Sequence, residues 1–354
     1  MGVCNSRDEY RQGLGVSSIS WAMGCNSRDD FRFGDFDVEA ECMVRCQNQH
    51  GDSPVWCKKT QRLFWLDVQK REVWCLEPME NVAFGRRVGM GSNGGCLLLR
   101  EQGGFAVCSS SGVGLLPDCE LGESEDVLDP AVVCHPVKDM FDTRSVWLCS
   151  GRVDENGRIL VSTRSLCDSK SDASTGGEDS DGEAPVTAGK GVFRVTFDPE
   201  SGDHAHQFLS DLGKDCSAAG IAVSDGGELF FVDARERRVR SFEYGDAVGE
   251  ERECGTSRMH SGLVHGGCVD AEGGYWAAEY GSGRVVRVMN GVVDRVVRVT
   301  APHVTGCTFG GAGLSVLYIT TASGKDPDPS ELSGGLFAAR IPGVKGAQEH
   351  YYSG

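Results

Sequence analysis

Apolar residues come along this chain in short runs, each closed by a turn rich in Gly, Asp, Glu or Lys rather than prolonged at helical spacing. RLFWLDVQKREVWCLEP, from Arg62 to Pro78, reads as strand, turn and strand. The same pattern recurs in GGFAVCSSSGVGLLPD from Gly103 and in GRILVSTRS from Gly157, the latter continued by GVFRVTFDPESG from Gly191. It recurs again in GELFFVDARERRVRSFEYG from Gly227 and GGYWAAEYGSGRVVRVMNG from Gly273. The last unit is VLYITTAS from Val316, continued by GGLFAARIPG from Gly334. Phe64, Phe105, Leu160, Phe230, Trp276 and Tyr318 hold comparable places in these units. Most spacings fall near the roughly 40–50 residues of a propeller blade. Six units closed into a ring leave few sheet edges exposed. The pattern predicts an all-β chain, a six-bladed β-propeller over residues 35–345, with a short N-terminal tail (1–34) and a C-terminal tail (346–354).

Composition changes this picture in three places. The wide gap between the third and fourth units holds residues 168–190, rich in Ser, Asp, Gly and Glu, which cannot bury apolar area and read as an acidic surface loop. The net charge of −17 and the absence of a basic stripe with interleaved aromatics argue against a nucleic-acid partner. The 16 cysteines are scattered, with no Cys-x-x-Cys, so neither a zinc ribbon nor a disulfide framework is indicated. No apolar run is long enough to span a bilayer and the start is polar, so the chain reads as cytoplasmic with its thiols reduced. Met1, Gly2 and Ser6 fit a myristoylation pattern, and Cys4 sits where a palmitoyl group often joins it; this is one route to peripheral membrane attachment. The alternative is coincidence, or a start further on, since CNSRDEYR from Cys4 recurs as CNSRDDFR from Cys25 after Met23-Gly24.

Local sequences within the blades resemble one family. GDSPVW from Gly51, GRVDENGRILVST from Gly151, AGIAVSDGGELFFVDARERRVRSFEY from Ala219 and GGCVDAEGGYWAAEYGSGRVVRV from Gly266 resemble motifs of the gluconolactonase/regucalcin (senescence marker protein-like) family, in order and at matching spacing. TGCTFGGAGLSVLYITTA from Thr305 and GGLFA from Gly334 resemble its last blade. The resemblance implies a propeller that hydrolyses sugar lactones with a divalent ion, usually calcium, at the mouth of the central channel. A Glu, an Asn and an Asp would hold the ion, and an Arg and an Asn would orient the lactone. The ion would polarise the carbonyl, and the Asp would act as base.

Carried over position by position, that set is altered. The Glu becomes Asp52, the Asn becomes Ala219, and the Asp becomes His265. The Arg-x-Asn stretch aligns with Trp147-Leu148-Cys149, so both orienting residues are lost, although Arg144 stands nearby. Asp52, His265 and Cys149 are the candidate metal ligands; carboxylate, imidazole and thiolate suit zinc or another softer metal better than calcium. The alternatives are weak calcium or magnesium binding by Asp52 with carbonyls and water, or a small buried Cys149 and a hydrogen-bonded His265 with no ion. Cys216, Cys268 and Cys307 lie in neighbouring inner segments.

His265 and Asp52 are the candidate catalytic residues, with neutral His265 as general base. His50 is a minor candidate for a supporting partner, while His204, His206 and His350 sit in polar, surface-like contexts. Asp67, Asp233 and Glu279 recur at one place in the blade motif, where acids cap turns more often than they catalyse. No serine-nucleophile elbow, P-loop, His-Glu-x-x-His or dinucleotide fingerprint is present. The expected activity is metal-dependent hydrolysis of a small-molecule lactone or related ester. The alternative is a non-catalytic propeller that binds a ligand or protein partner.

Overall fold

A computed structural model describes residues 37–80, 82–90, 95–117, 127–138, 140–141, 146–165, 191–211, 218–233, 238–252, 263–324 and 330–354. Gly2, Cys4, Arg144, Cys216 and the acidic stretch 168–190 lie outside them.

Two short strands come first, β1 (Asp37–Glu39) and β2 (Glu41–Val44). Blade 1 is β3 (Gly51–Cys57), β4 (Arg62–Asp67), β5 (Glu72–Glu77) and β6 (Val82–Arg87). Blade 2 is β7 (Cys96–Leu99), β8 (Phe105–Ser109), β9 (Gly112–Leu116) and β10 (Ala131–Cys134). Blade 3 is β11 (Val146–Val153), β12 (Ile159–Ser165), β13 (Gly191–Phe197) and β14 (His204–Asp211). Blade 4 is β15 (Ala218–Ser224), β16 (Glu228–Asp233), β17 (Arg238–Tyr244) and β18 (Val248–Arg252). Blade 5 is β19 (Leu263–Val269), β20 (Tyr275–Tyr280), β21 (Arg284–Met289) and β22 (Val292–Arg298). Blade 6 has β23 (Val304–Gly310), β24 (Val316–Thr321) and β25 (Leu336–Ala339), and β2 pairs with β25 as its fourth strand. The N-terminal strand thus joins the last blade and closes the ring, while β1 adds a parallel fifth strand to β22. The six-bladed propeller read from the hydrophobic pattern is the fold observed.

The recurring aromatic position has a direct structural cause. Phe64, Phe105, Leu160, Phe230, Trp276 and Tyr318 all lie on the second strand of their blades, and most reach the neighbouring blade. Phe64 meets Phe105 edge-on at 4.9 Å, Phe230 stacks on Tyr275 at 5.6 Å, Trp276 meets Phe309 at 5.5 Å, and Trp56 stacks on Tyr318 at 5.8 Å. Each side chain is buried, and each contributes about 2 kcal/mol through apolar area removed from water.

The hairpins between first and second strands share a second device. Asp154 accepts N–H bonds from Asn156 (3.0 Å) and Arg158 (2.9 Å), and Asp270 accepts them from Glu272 and Gly274 (both 2.9 Å). Gly157 and Gly273 complete these turns at φ of 69° and 84°, conformations that cost other residues strain.

The first strand of every blade lines the central channel, and all six run in the same direction along it. Residues near their starts surround an open cavity, and later residues of β11, β15, β19 and β23 line a narrow space at the far end. That far end is sealed by residues 346–354. Ala347 N–H donates to the Val269 carbonyl (3.2 Å), Tyr352 N–H to that of Leu99 (2.8 Å) and Ser353 N–H to that of Gly157 (3.1 Å). Tyr352 is fully buried, and its hydroxyl lies 2.6 Å from Nδ1 of His204. His350 Nε2 lies 2.9 Å from Asp225. The histidines expected on a polar surface therefore include two that fasten this segment.

Candidate functional site

Five of the six innermost strands break register with the second strand of their blade near the channel mouth. The breaks fall between Asp52 and Val55, Leu148 and Gly151, Ala219 and Ala222, Val264 and Gly267, and Val304 and Gly306. A bulge interrupts the alternation of side chains between the two faces and re-aims the residues within it. Ser53, Pro54, Cys149, Ser150, Gly220, His265 and Gly266 all fall within such breaks, and all line the mouth cavity of about 490 Å³. Gly220 has φ 59°, and an added Cβ would sit 2.4 Å from the Tyr275 hydroxyl, so this wall has no space for a side chain there. The Tyr275 hydroxyl donates to the Gly220 carbonyl (2.6 Å) and locks blades 4 and 5 together just below the cavity.

Asp52 and His265 converge, as the resemblance implies, and His50 joins them. One ligand atom from each of the three residues lies within 4.8 Å of the others. His50 Nε2 is 3.6 Å from Asp52 Oδ2, and the two imidazole rings are 5.9 Å apart. Asp52 Oδ1 accepts the Ser53 N–H (2.7 Å), which fixes the carboxylate against its own backbone and leaves Oδ2 toward His50. Ser53 itself has φ 52°, a left-handed conformation in the bulge that re-aims the chain after Asp52. Three such donors are close enough to share one metal ion.

Asp67 sets His50 in place. Its fully buried carboxylate accepts the backbone N–H groups of Gln49 (2.8 Å), His50 (3.1 Å) and Lys70 (3.2 Å). The turn-capping role expected for this recurrent acid is what the geometry of Asp67 shows. Glu279 instead bonds the Ser282 hydroxyl (3.1 Å) and pairs with Arg284. The Asp233 side chain is outside the described set.

His265 stacks on Tyr280 (4.9 Å), which stacks in turn on His303 (4.5 Å). Burial, with Arg164, His50 and His303 nearby, pushes the His265 pKa down to about 3 against a smaller opposing pull from Asp52. The ring is therefore neutral across the physiological range, with a lone pair available for coordination.

Cys149 lines the same cavity from β11 but does not belong to the three-residue cluster. The third member of the cluster is His50, which the sequence, by its place next to Asp52, offered as a minor supporting partner. Cys307 also lines the cavity, with its Sγ 3.8 Å from that of Cys268 behind it; burial raises the Cys268 pKa, so this thiol is an inert core residue. The ten described cysteines are all free thiols. Ala219 lines the mouth without a donor atom, and Trp147 presents an indole where the resemblance predicts a guanidinium. The Cα partner of Trp147 across the hairpin is Arg164, which lines the cavity and was missed in the sequence. Its signal was the strand pairing itself, which places residue 164 opposite 147 once the hairpin is drawn.

The sequence pattern of the SMP-30/gluconolactonase/LRE-like region matches residues 50–323. Regucalcin of Danio rerio is 26% identical over 330 residues, covering 90% of this chain and 99% of its own. The 6-deoxy-6-sulfogluconolactonase of Pseudomonas putida is 26% identical over 321 residues, covering 89% and 98%. Among solved structures, a calcium-binding regucalcin from Agrobacterium tumefaciens superposes with a TM-score of 0.71 at 19% identity, covering 90% of this chain and 98% of that one. A gluconolactonase from Xanthomonas campestris superposes at 0.59 with 17% identity, covering 86% and 90%. At these identities the structural matches speak for the fold.

Proposed function

This chain belongs to the SMP-30/gluconolactonase/LRE-like family, and from that premise we propose that it is a metal-dependent hydrolase of sugar lactones or related esters with a changed ligand set. The observation that carries this reading is the convergence of His50, Asp52 and His265 at the channel mouth, with ligand atoms within 4.8 Å of one another. Two imidazole nitrogens and one carboxylate suit zinc or another borderline ion; calcium requires about six to eight oxygens, and Asp52 is the one side chain of the cluster that supplies them. When bound, such an ion supplies Lewis-acid polarisation of the substrate carbonyl.

The remaining tasks fall to the chain's own groups. His265, kept neutral by its surroundings, is too weak a base near pH 7 to drive proton transfer and is better suited to donate its lone pair. Asp52, held through Oδ1 by the Ser53 N–H and partly open to the cavity, is the carboxylate placed to take the proton of the attacking water. Trp147 and Tyr280 supply aromatic walls against which the substrate ring packs. The relative named for lactone hydrolysis, the 6-deoxy-6-sulfogluconolactonase, supports the same reaction class.

The test is hydrolysis of gluconolactone and a small lactone panel by metal-stripped protein, re-supplied separately with zinc, manganese, magnesium and calcium, with spontaneous opening subtracted. Turnover restored best by zinc or manganese is expected. Turnover restored by calcium alone would overturn the changed ligand set, and none with any ion would overturn the hydrolase. The methyl of Ala219 and the indole of Trp147 favour a second reading, a propeller that binds a ligand without acting on it. That reading predicts lactone binding with no turnover under every metal.

A further inference from the structure

The mouth cavity has two unlike sides. In a ring of six blades, blade 3 lies across the axis from blade 6. The three-residue cluster straddles blade 6, with His50 and Asp52 from blade 1 and His265 from blade 5. Trp147 stands opposite, on β11 of blade 3. Leu148, next to it, is buried in the blade core, so Trp147 and Cys149 share the face that looks into the cavity. Apolar groups continue around the wall. Pro54 follows Asp52 in its bulge, and Ala219 lines blade 4. Val68, buried beside the cluster, donates its N–H to the His50 carbonyl (2.9 Å).

Polar side chains in the same wall are engaged in holding blades together. Ser53 Oγ accepts the Leu97 N–H of blade 2 (2.9 Å), and Ser150 Oγ accepts the Ile221 N–H of blade 4 (3.0 Å). Arg152 donates to the Gly267 (2.9 Å) and Gly151 (3.3 Å) carbonyls at the cavity floor and faces Glu349 at 3.8 Å. Arg164, across the hairpin from Trp147, has an interaction of its own. A sugar ring carries a hydroxyl on most of its carbons, and each one taken from water without a partner weakens binding by about tenfold. A ring without hydroxyls avoids that cost and gains contact with the indole.

We infer that the substrate is a lactone or ester with an aromatic ring beside its scissile bond, and not a polyhydroxylated sugar lactone. The aromatic part packs on Trp147, and the carbonyl points across the cavity to Asp52 and His265. A cavity of about 490 Å³ has room for a fused two-ring lactone. Water adds at the carbonyl carbon, the acyl C–O bond breaks, and the water's proton ends on the departing oxygen, giving the hydroxy acid. The reaction rests on the hydrolase reading above; the apolar subsite opposite the cluster does not.

Three δ-lactones test this: δ-valerolactone is the bare ring, gluconolactone the same ring with hydroxyls, and 3-isochromanone the same ring fused to benzene. With zinc-supplied protein, kcat/KM divided by each lactone's spontaneous opening rate should be highest for 3-isochromanone and lowest for gluconolactone, about 100-fold apart. Trp147→Ala should shrink the advantage of 3-isochromanone over δ-valerolactone by about tenfold, chiefly through KM, and Trp147→Phe should keep most of it. Two lactams that resist hydrolysis read the subsite without chemistry and without a variant. In calorimetry, 1,4-dihydroisoquinolin-3-one should bind wild-type protein about tenfold tighter than gluconolactam, or more. Equal lactam binding, or gluconolactone preferred over 3-isochromanone, overturns the apolar subsite and leaves the hydrolase standing. So does an advantage indifferent to Trp147 in variants that unfold at the wild-type midpoint. Lactam binding in the expected order with no turnover of any lactone leaves the subsite standing and removes the hydrolase.

Discussion

At one end of the channel the innermost strands begin in bulges, and half-buried titratable side chains face a cavity of about 490 Å³. At the other end the same strands finish in regular pairing under residues 346–354, and the remaining space is about 20 Å³. The chemistry of the two ends differs accordingly. Polar groups at the sealed end have partners: Glu349 accepts the Thr308 hydroxyl (3.0 Å) and faces Arg152, and the Arg100 Nε–H donates to the terminal carbonyl oxygen of Gly354 (2.6 Å). At the mouth, His50, Asp52 and His265 crowd together, and packing alone gives no reason to put two imidazoles and a carboxylate there. One end of the propeller is built for stability, and the other gathers the groups on which the proposed chemistry rests. Arg152, which borders both spaces, is the joint between them.

The sharpest way to break this division is to delete residues 346–354. Loss of buried Tyr352 and several backbone bonds should cost about 5 kcal/mol in urea unfolding. A truncated chain as stable as the full one would show that the seal is ornamental. Next in size is His265→Ala, which should lower metal-dependent lactone turnover by about 100-fold or more while moving the unfolding free energy by under about 1 kcal/mol. If stability falls as far as activity does, the mouth is structural after all. Glu349→Gln probes the joint. Arg152, buried beside carbonyl acceptors, loses its facing charge, and we expect a loss of about 2 kcal/mol in the same unfolding measurement. An unchanged midpoint would mean the carbonyls alone hold the guanidinium.

The smallest effect is a pH dependence at the sealed end. Burial, helped by Arg100, lowers the His204 pKa. The folded state therefore binds that proton less readily than the unfolded chain, whose His titrates near roughly pH 6.5. Stability from this group is complete above that pH and is lost as pH falls through the folded value. His204→Gln should show a shallower loss of unfolding midpoint between neutral and mildly acidic pH than the wild type. Parallel profiles would assign the acid sensitivity elsewhere.

Much of this was legible before any coordinates. The blade units, their second-strand aromatics, the Asp-x-x-Gly hairpins and the acid that caps the turn beside His50 are all encoded within a few tens of residues. Hydrophobic periodicity and turn chemistry act over that range, so the ring could be read directly, while the family resemblance supplied the expectation that Asp52 and His265 stand at its mouth. Three features could not. His50, rather than Cys149, lies within ligand reach of Asp52 and His265, because distances across the mouth depend on how the blades meet and not on any local pattern. Arg164 enters the site from the strand after Trp147, through cross-strand pairing that no local pattern marks. The C-terminal residues 346–354, which look like a tail in sequence, become the floor of the channel because their partners at Leu99, Gly157 and Val269 come from blades 2, 3 and 5. By itself the sequence determined the repeating unit and therefore the ring. Only closure of that ring, which brings residues far apart in the chain to one axis, decided which side chains meet at the mouth and which segment seals the other end.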